Sequence, residues 1–375
     1  MDADLVASKL KTARRATGMS TRRVASLLET YGASVSHATV SAYERAASTP
    51  SIETLTALSE LYRRSLDWFL SSTPALSGVQ YRHIASRVKV ADLAAFEASA
   101  TVWLEAFGRL EAAMGMVTAS SAPPRLLDPN ASPQEAARKI RVQLGLASRQ
   151  PVASVFEVLD ALQVRSIELA AHENIDGLSA WWGDQRVVVL NVAMPNDRLR
   201  FDAAHEMFHL LLGDCDEASG PDGRARHDRA MEAASQFLIT DDAVRDAFLG
   251  KSMVRLLQFK QTFGVSLAVL VFRGSQLGLI NGHESKRLWI EFSKRGWRHR
   301  EPGHVWADRP RRFEYLLDIA RNVRGWNWRK LAETCGVPMS ALRDRLSAAI
   351  GADEKPLAPE SEVNHNERYE LRLVR

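Results

Sequence analysis

The stretch FDAAHEMFHLLLG, residues 201–213, constrains this chain more than any other. Pro195 and Asn196 break the chain ahead of it and start a helix. Along that helix His205 and His209 share one face, because four residues advance a helix by one turn plus about 40 degrees. Both imidazoles can then reach one zinc ion. Glu206 lies about 100 degrees round the wheel, placed to act through water rather than as a ligand. In this motif zinc acidifies the water, and the carboxylate takes its proton and delivers it to a leaving amine. Leu210, Leu211 and Leu212 bury the helix, and Gly213 can end it. Two histidines on a buried helix can equally serve packing, so a third ligand decides the reading.

Candidates for that ligand lie in RARHDRAMEAASQFLIT, residues 224–240. On a helical wheel Ala230, Ala234, Phe237 and Leu238 define the apolar face, His227 projects near its centre, and Glu232 projects almost opposite. His227 is the expected third ligand and Glu232 the alternative, with Asp228 and Asp214 behind them. His227 could also be a helix-start histidine that holds no metal.

With 375 residues the chain has room for two or three domains. Its 46% hydrophobic and 25% charged residues place it among soluble globular proteins, and a formal charge of only +4 requires any nucleic-acid surface to be local. Cys215 and Cys335, far apart, do not suggest a disulfide-built secreted protein. Cys215 also sits among Asp214, Asp216 and Glu217, which disfavours a reactive thiolate. The opening MDADLVASKLKTARR carries acids where a signal peptide needs an apolar run, and no stretch approaches 18 apolar residues. A cytoplasmic protein with no membrane partner is expected.

Breaker-rich stretches divide the chain. SSTPALSG at 71–78 reads as a linker, residues 84–117 as one long or two shorter helices, and SSAPPRLLDPNASP as a second joint. Before the linker, Leu5, Val6, Leu10 and Ala13 repeat at helical spacing and Gly18 ends the run. Ser20 caps a helix carrying Val24, Leu27 and Leu28, Gly32 and Ser34 turn, and Ser36 caps HATVSAYERA. Ile52, Leu55, Leu58 and Leu61 face inward from a fourth helix, and Leu66, Phe69 and Leu70 close the core from a fifth. Residues 4–70 resemble the phage-repressor type of helix-turn-helix domain, with a slightly long turn at TYGASVS. The resemblance implies that the helix opening at Ser36 enters the major groove of an operator in double-stranded DNA, with His37, Thr39 and Ser41 toward base edges. Arg14, Arg15, Arg22 and Arg23 are expected phosphate contacts. The plainer alternative is a helical packing module solvated by its arginines.

Strand candidates VRSIEL (164–169), GLSAWW (177–182) and RVVVLN (186–191) precede the histidine helix. Together SPQEAARKIRVQLGL, IDGLSAWWGDQRVVVLN, DRLRFDAAHEMFHLLLG, AMEAASQFLIT, FKQTFGVSLAVLVFRGSQLGLI and GWRHREP, across residues 80 to about 302, resemble the ImmA/IrrE family of zinc-dependent peptidases, in the version fused behind a repressor-type domain. In that family a glutamate on the second helix completes the zinc site, and here His227 stands in its place; the family's proline after the same helix is Thr240. A histidine there removes one negative charge and makes the site more positive. The resemblance also implies an edge strand that holds substrate in extended form. GLSAWW is the candidate, with Trp181 and Trp182 lining a pocket or, more simply, packing in the core.

The fold class expected is multidomain. An all-α helix-turn-helix domain (1–72) and a helical linker region (73–133) precede an α+β zincin-like metallopeptidase domain (134–305), a helical region (306–350) and a loose tail (351–375). NVRGWNWRKLAETCGVPMSALRDRLSAAI has helix-turn-helix spacing with Gly336 and Val337 at the turn and Ser340 as a cap, read as packing or dimerisation in preference to DNA binding. His283, His299 and His304 lie in a basic run that could follow a phosphate backbone; either His299 or His304 could face an oxyanion, but neither is assigned to the site.

The function implied is regulated cleavage of a repressor-like protein in a stress or phage-related response. The substrate could be in cis, with SSTPALSG as an exposed cut site, and a homodimer is expected because one helix-turn-helix reads a half-site. The alternatives are a non-enzymatic transcription factor whose peptidase-like domain senses a ligand or metal, and an antitoxin-like repressor.

Overall fold

The computed structural model describes residues 2–83, 87–116, 127–128, 130–212, 223–298 and 300–353. The predicted helix end at Gly213, the candidate ligand Asp214, Cys215 with its acidic neighbours, His299, most of the second joint and nearly all of the tail lie outside them. Five helices open the chain: α1 (Ala3–Ala16), α2 (Thr21–Leu28), α3 (His37–Tyr43), α4 (Ile52–Tyr62) and α5 (Leu66–Leu70). β1 (Leu76–His83), α6 (Val90–Ala113), α7 (Pro133–Gln143) and α8 (Val155–Ala161) follow. Next come β2 (Arg165–Leu169), β3 (Ile175–Trp182), β4 (Gln185–Asn191), α9 (Asn196–Leu212), α10 (Gly223–Leu238), α11 (Asp241–Ala247) and α12 (Met253–Phe263). The last elements are α13 (Leu267–Gln276), α14 (Gly282–Lys294), α15 (Arg312–Asp318) with a π turn to Val323, α16 (Trp328–Cys335) and α17 (Met339–Asp353).

Two compact units emerge. The described residues within 1–120, 167–192 and 311–353 form one, and those within 121–166 and 193–310 form the other. These units cut across the sequence segments: β3, β4 and most of β2 fall in the unit of the first five helices, and α9 falls in the other.

In the first unit, serine placement sets the helix starts. Ser20, Ser36, Ser51 and Ser65 each accept a hydrogen bond from the backbone N–H three residues on, starting α2, α3, α4 and α5. Each such cap is worth about 1 kcal/mol. The extra length of TYGASVS is a 3-10 turn, Glu29–Tyr31, closed by left-handed Gly32. Val6, Leu10, Val24, Leu28, Leu55, Leu58 and Phe69 make the core as expected, joined by Val40 of α3. Ile52 and Leu70 do not: they are 66% and 45% exposed, because each sits at a helix end where neighbours cover only one side. Trp68 takes the place expected of Leu70, fully buried beneath the Lys9 ammonium at 4.3 Å. Lys9 in turn pairs at 2.8 Å with buried Glu105 of α6, and burial pulls its pKa below the usual lysine range against the pull of that carboxylate.

The sheet runs β1-β3-β4-β2, with β3 antiparallel to both β1 and β4. Gly177 permits the β3–β4 approach, since a Cβ there would stand 2.5 Å from the Val189 carbonyl oxygen. β1 corrects the linker reading. Residues 76–78 open the strand, and left-handed Gly78 marks an irregularity in register between Ser77 and Gln80, a bulge glycine rather than a breaker. β3 is therefore an inner strand, and the expectation of GLSAWW as a free edge fails because the chain covers that edge itself. Trp182 is core at 4% exposure, and Trp181 lies under the Arg186 guanidinium at 4.5 Å.

Later helices of this unit also adjust the sequence reading. α17 starts at Met339, so Ser340 is inside the helix and not its cap. α16 packs against α6, and α17 against α15 and α16, in line with the expected packing role.

The second unit supports α9 through buried charge. Arg200 pairs with Asp308, donates to the Val152 carbonyl at 2.8 Å and to that of Gly264 at 3.2 Å, and stacks on Trp306. Asp308 also accepts from Ser154 Oγ and the Val155 N–H at the start of α8. Burial pushes its pKa up despite the arginine. Lys260 of α12 joins Asp197 of α9 to Glu301, which accepts from the Leu267 and Ala268 N–H groups of α13. Such pairs orient more than they stabilise. They hold the histidine helix in one place.

Candidate metal centre and DNA-reading helix

α9 is buried along nearly its whole length, so its polar residues are held by the fold rather than by solvent. His205 is 1% exposed, Glu206 6% and His209 8%. The two imidazoles stand one turn apart with their Nε2 atoms 3.1 Å from each other. The Nδ1 of His205 lies 3.3 Å from Oε1 of Glu206, slightly long for a hydrogen bond. Such a contact can still hold the ring's tautomer and leave Nε2 toward His209.

α10 brings the third imidazole. The His227 ring centre is 4.7 Å from that of His205 and 6.1 Å from that of His209. One ligand nitrogen from each of the three can be chosen so that all lie within 4.8 Å of one another. Zn–N bonds of about 2.0–2.1 Å in a tetrahedron require nitrogens a little over 3 Å apart. The donor set and spacing fit a zinc-sized ion after small side-chain adjustments.

The wheel for α10 holds where it concerns packing. Ala230, Ala234, Phe237 and Leu238 are all fully buried. His227 itself is exposed, not turned into the core. It sits in the first turns of α10, where the helix reaches past its packed face while still meeting α9. Glu232 stands elsewhere, half-buried, accepting from Gln236 Nε2 at 3.1 Å, and Asp228 is exposed. Neither joins the histidine cluster. His283 on α14 and His304 are also exposed and apart from it. Sequence reasoning did not find Arg200, Asp308 and Lys260 as supports of α9. Their partners lie more than 40 residues away, and no local pattern links them.

On α3, Ser36 accepts from the Thr39 N–H at 3.0 Å, which leaves His37 exposed at the helix start, with Thr39 and Ser41 half-buried behind it. Arg45 reaches the Ser41 hydroxyl at 3.4 Å. Arg15, Arg22 and Arg23 are exposed. Arg14 is placed differently. Its Nε and Nη2 bind the Glu44 carboxylate at 2.6 and 2.8 Å and its Nη1 the Met19 carbonyl at 2.9 Å, so the whole guanidinium serves to tie α1 to the end of α3. A phosphate contact from Arg14 would have to break that fork.

Two family models match the chain: Helix-turn-helix over residues 10–69, and IrrE N-terminal-like domain over residues 160–275. The second range holds all three histidines. The chain is a helix-turn-helix domain fused to an IrrE/ImmA-like metallopeptidase domain with a His-triad metal site. No curated protein and no solved structure matches it significantly. In the IrrE/ImmA-like domain the histidine triad rests on α9 and α10, and the helix-turn-helix match spans α2 and α3. Among the described residues no single helix is long and apolar enough to cross a membrane.

Proposed function

We infer that this chain is a DNA-bound regulator carrying a zinc-dependent endopeptidase, which cuts a repressor-like protein in a stress or phage-related response. The observation that carries the reading is the convergence of His205, His209 and His227 beside Glu206, from two helices of the matched domain. The three histidines would hold Zn2+. When bound, the ion supplies Lewis-acid polarisation and acidifies water. Glu206, buried and one residue from His205, takes a proton from the attacking water and passes it to the leaving amine. His37, Thr39 and Ser41 face base edges, and Arg15, Arg22 and Arg23 the phosphates. With the DNA-binding domain in cis, the substrate is this chain itself or a neighbouring copy. Ser72, Pro74 and Ala75, exposed between α5 and β1, are the candidate cut region. A homodimer in the cytoplasm completes the reading, because one recognition helix covers a half-site.

The test is metal content and coordination in the parent, His227→Ala and Glu232→Ala chains, with intact mass followed over time after zinc loading. Stoichiometric zinc lost only with His227, together with a zinc-dependent cut, supports the reading. Absence of zinc, or indifference to both changes, removes it.

One observation favours a second reading, a non-enzymatic regulator that senses metal. The β3 edge expected to hold an extended substrate is already paired with β1. Stoichiometric zinc without cleavage of the chain or of a repressor-like partner would favour that reading.

A further inference from the structure

The pair α16 and α17 has no part in the function described above. α16 spans eight residues and is capped by Asn327, whose side-chain oxygen accepts from the Lys330 N–H at 2.9 Å. Gly336 then turns left-handed at φ 67, its N–H bonded to the Ala332 carbonyl, and α17 begins at Met339. Three residues, Gly-Val-Pro, join the helices, the connection length and glycine use of a helix-turn-helix unit. The N-terminal unit needs the longer stretch 29–36 for the same connection. Leu331, Cys335, Val337, Leu342 and Leu346 form the buried side. On the outer side of α17, Ser340, Arg343, Asp344 and Ser347 are exposed at i, i+3, i+4 and i+7. That stripe is polar, with side chains able to donate to and accept from base edges.

Charge gathers around it. Residues 321–347 hold Arg321, Arg324, Arg329, Lys330, Arg343 and Arg345 against Glu333 and Asp344, an excess equal to the formal charge of +4 for the whole chain. Arg345 is spent on Glu314. The other five have no ion-pair partner among the described residues. Three of them lie over indoles instead: Arg321 at 4.5 Å and Arg343 at 5.3 Å from the Trp328 ring, and Lys330 at 4.1 Å from that of Trp326. A guanidinium stacked by its face keeps its N–H edge for a phosphate or a guanine, with less freedom to lose on binding.

We propose that α16 and α17 form a second duplex-DNA-binding unit, with α17 in the major groove and Arg324, Arg329 and Lys330 on the phosphates. Charge complementarity selects this occupant. A second copy would bring the same positive surface against it, and a peptide groove needs apolar anchors that the outer stripe of α17 lacks. Both DNA-binding units belong to one compact unit. α1 and α16 each pack on α6, and Arg64 Nη1 donates to the Gly336 carbonyl at 3.0 Å. Their spacing is fixed within one chain.

The test uses the full chain and a random-sequence duplex of about 30 base pairs, three helical turns, with affinity measured across salt concentrations. Arg329→Ala/Lys330→Ala/Arg343→Ala should bind more weakly and lower the salt slope by about 2 to 3. Arg22→Ala/Arg23→Ala should lower it separately, and the two losses should add. Ser340→Glu/Ser347→Glu, which changes only exposed positions, should weaken binding in the same direction and decides the matter if the triple variant melts early. Unchanged slope and affinity in a folded triple variant would overturn the proposal. A change in sedimentation at constant slope would overturn it too, assigning the surface to a second copy.

Discussion

His205 and His209 hold their Nε2 atoms 3.1 Å apart, one turn of α9 from each other, with His227 completing the triad from α10. Metal that binds only the folded arrangement stabilises it by mass action. Zinc at a thousandfold excess over its Kd should add about 4 kcal/mol, seen as a raised melting temperature that a chelator reverses. His205→Ala should abolish the shift. A parent chain whose melting ignores zinc has no such site.

Glu206 is buried beside His205 but is not a member of the triad. Glu206→Gln should keep zinc stoichiometry and melting near those of the parent while any peptidase activity falls by about 10²- to 10⁴-fold, the usual worth of a general base. Loss of the metal in this variant would make Glu206 a ligand support instead.

Arg14 and its neighbours Arg22 and Arg23 should separate structure from DNA contact. Arg14→Ala leaves the Glu44 carboxylate without its fork and should lower stability with little effect on the salt dependence of DNA binding. Arg22→Ala and Arg23→Ala should do the reverse, each reducing the salt slope by about 1. Paired melting and binding titrations read both quantities.

Cys335, buried between α16 and its neighbours, has its thiol pKa pushed up to about 12 by burial. The folded chain keeps this proton where the unfolded chain loses it, so the contribution is intact below about pH 9 and declines as pH rises toward 12. Denaturant titrations should show Cys335→Ala losing less stability than the parent over this range, by up to about 1.4 kcal/mol per pH unit. Equal slopes would mean that the thiol ionises normally.

The sequence alone carried the local rules. Serines at 20 and 36 announced two helix starts, because a side-chain oxygen needs only its own first turn to act as a cap, and the structure shows Ser51 and Ser65 obeying the same rule. Spacing of four announced the shared face of His205 and His209. The wheel of α10 named Ala230, Ala234, Phe237 and Leu238 as its buried face because they belong to one helix, whose periodicity is fixed by its backbone. Tertiary structure decided what depends on neighbours from afar. Gly78 reads equally as a linker residue or a bulge until β3 pairs with its strand. Pairing also made GLSAWW an inner strand. Exposure of Ile52 and of His227, the inward fork of Arg14 on Glu44, and the Arg200–Asp308 tie that holds α9 all turn on partners that no local pattern names. Helix formation is a property of adjacent residues, whereas burial and charge pairing belong to whichever segments the completed fold brings together.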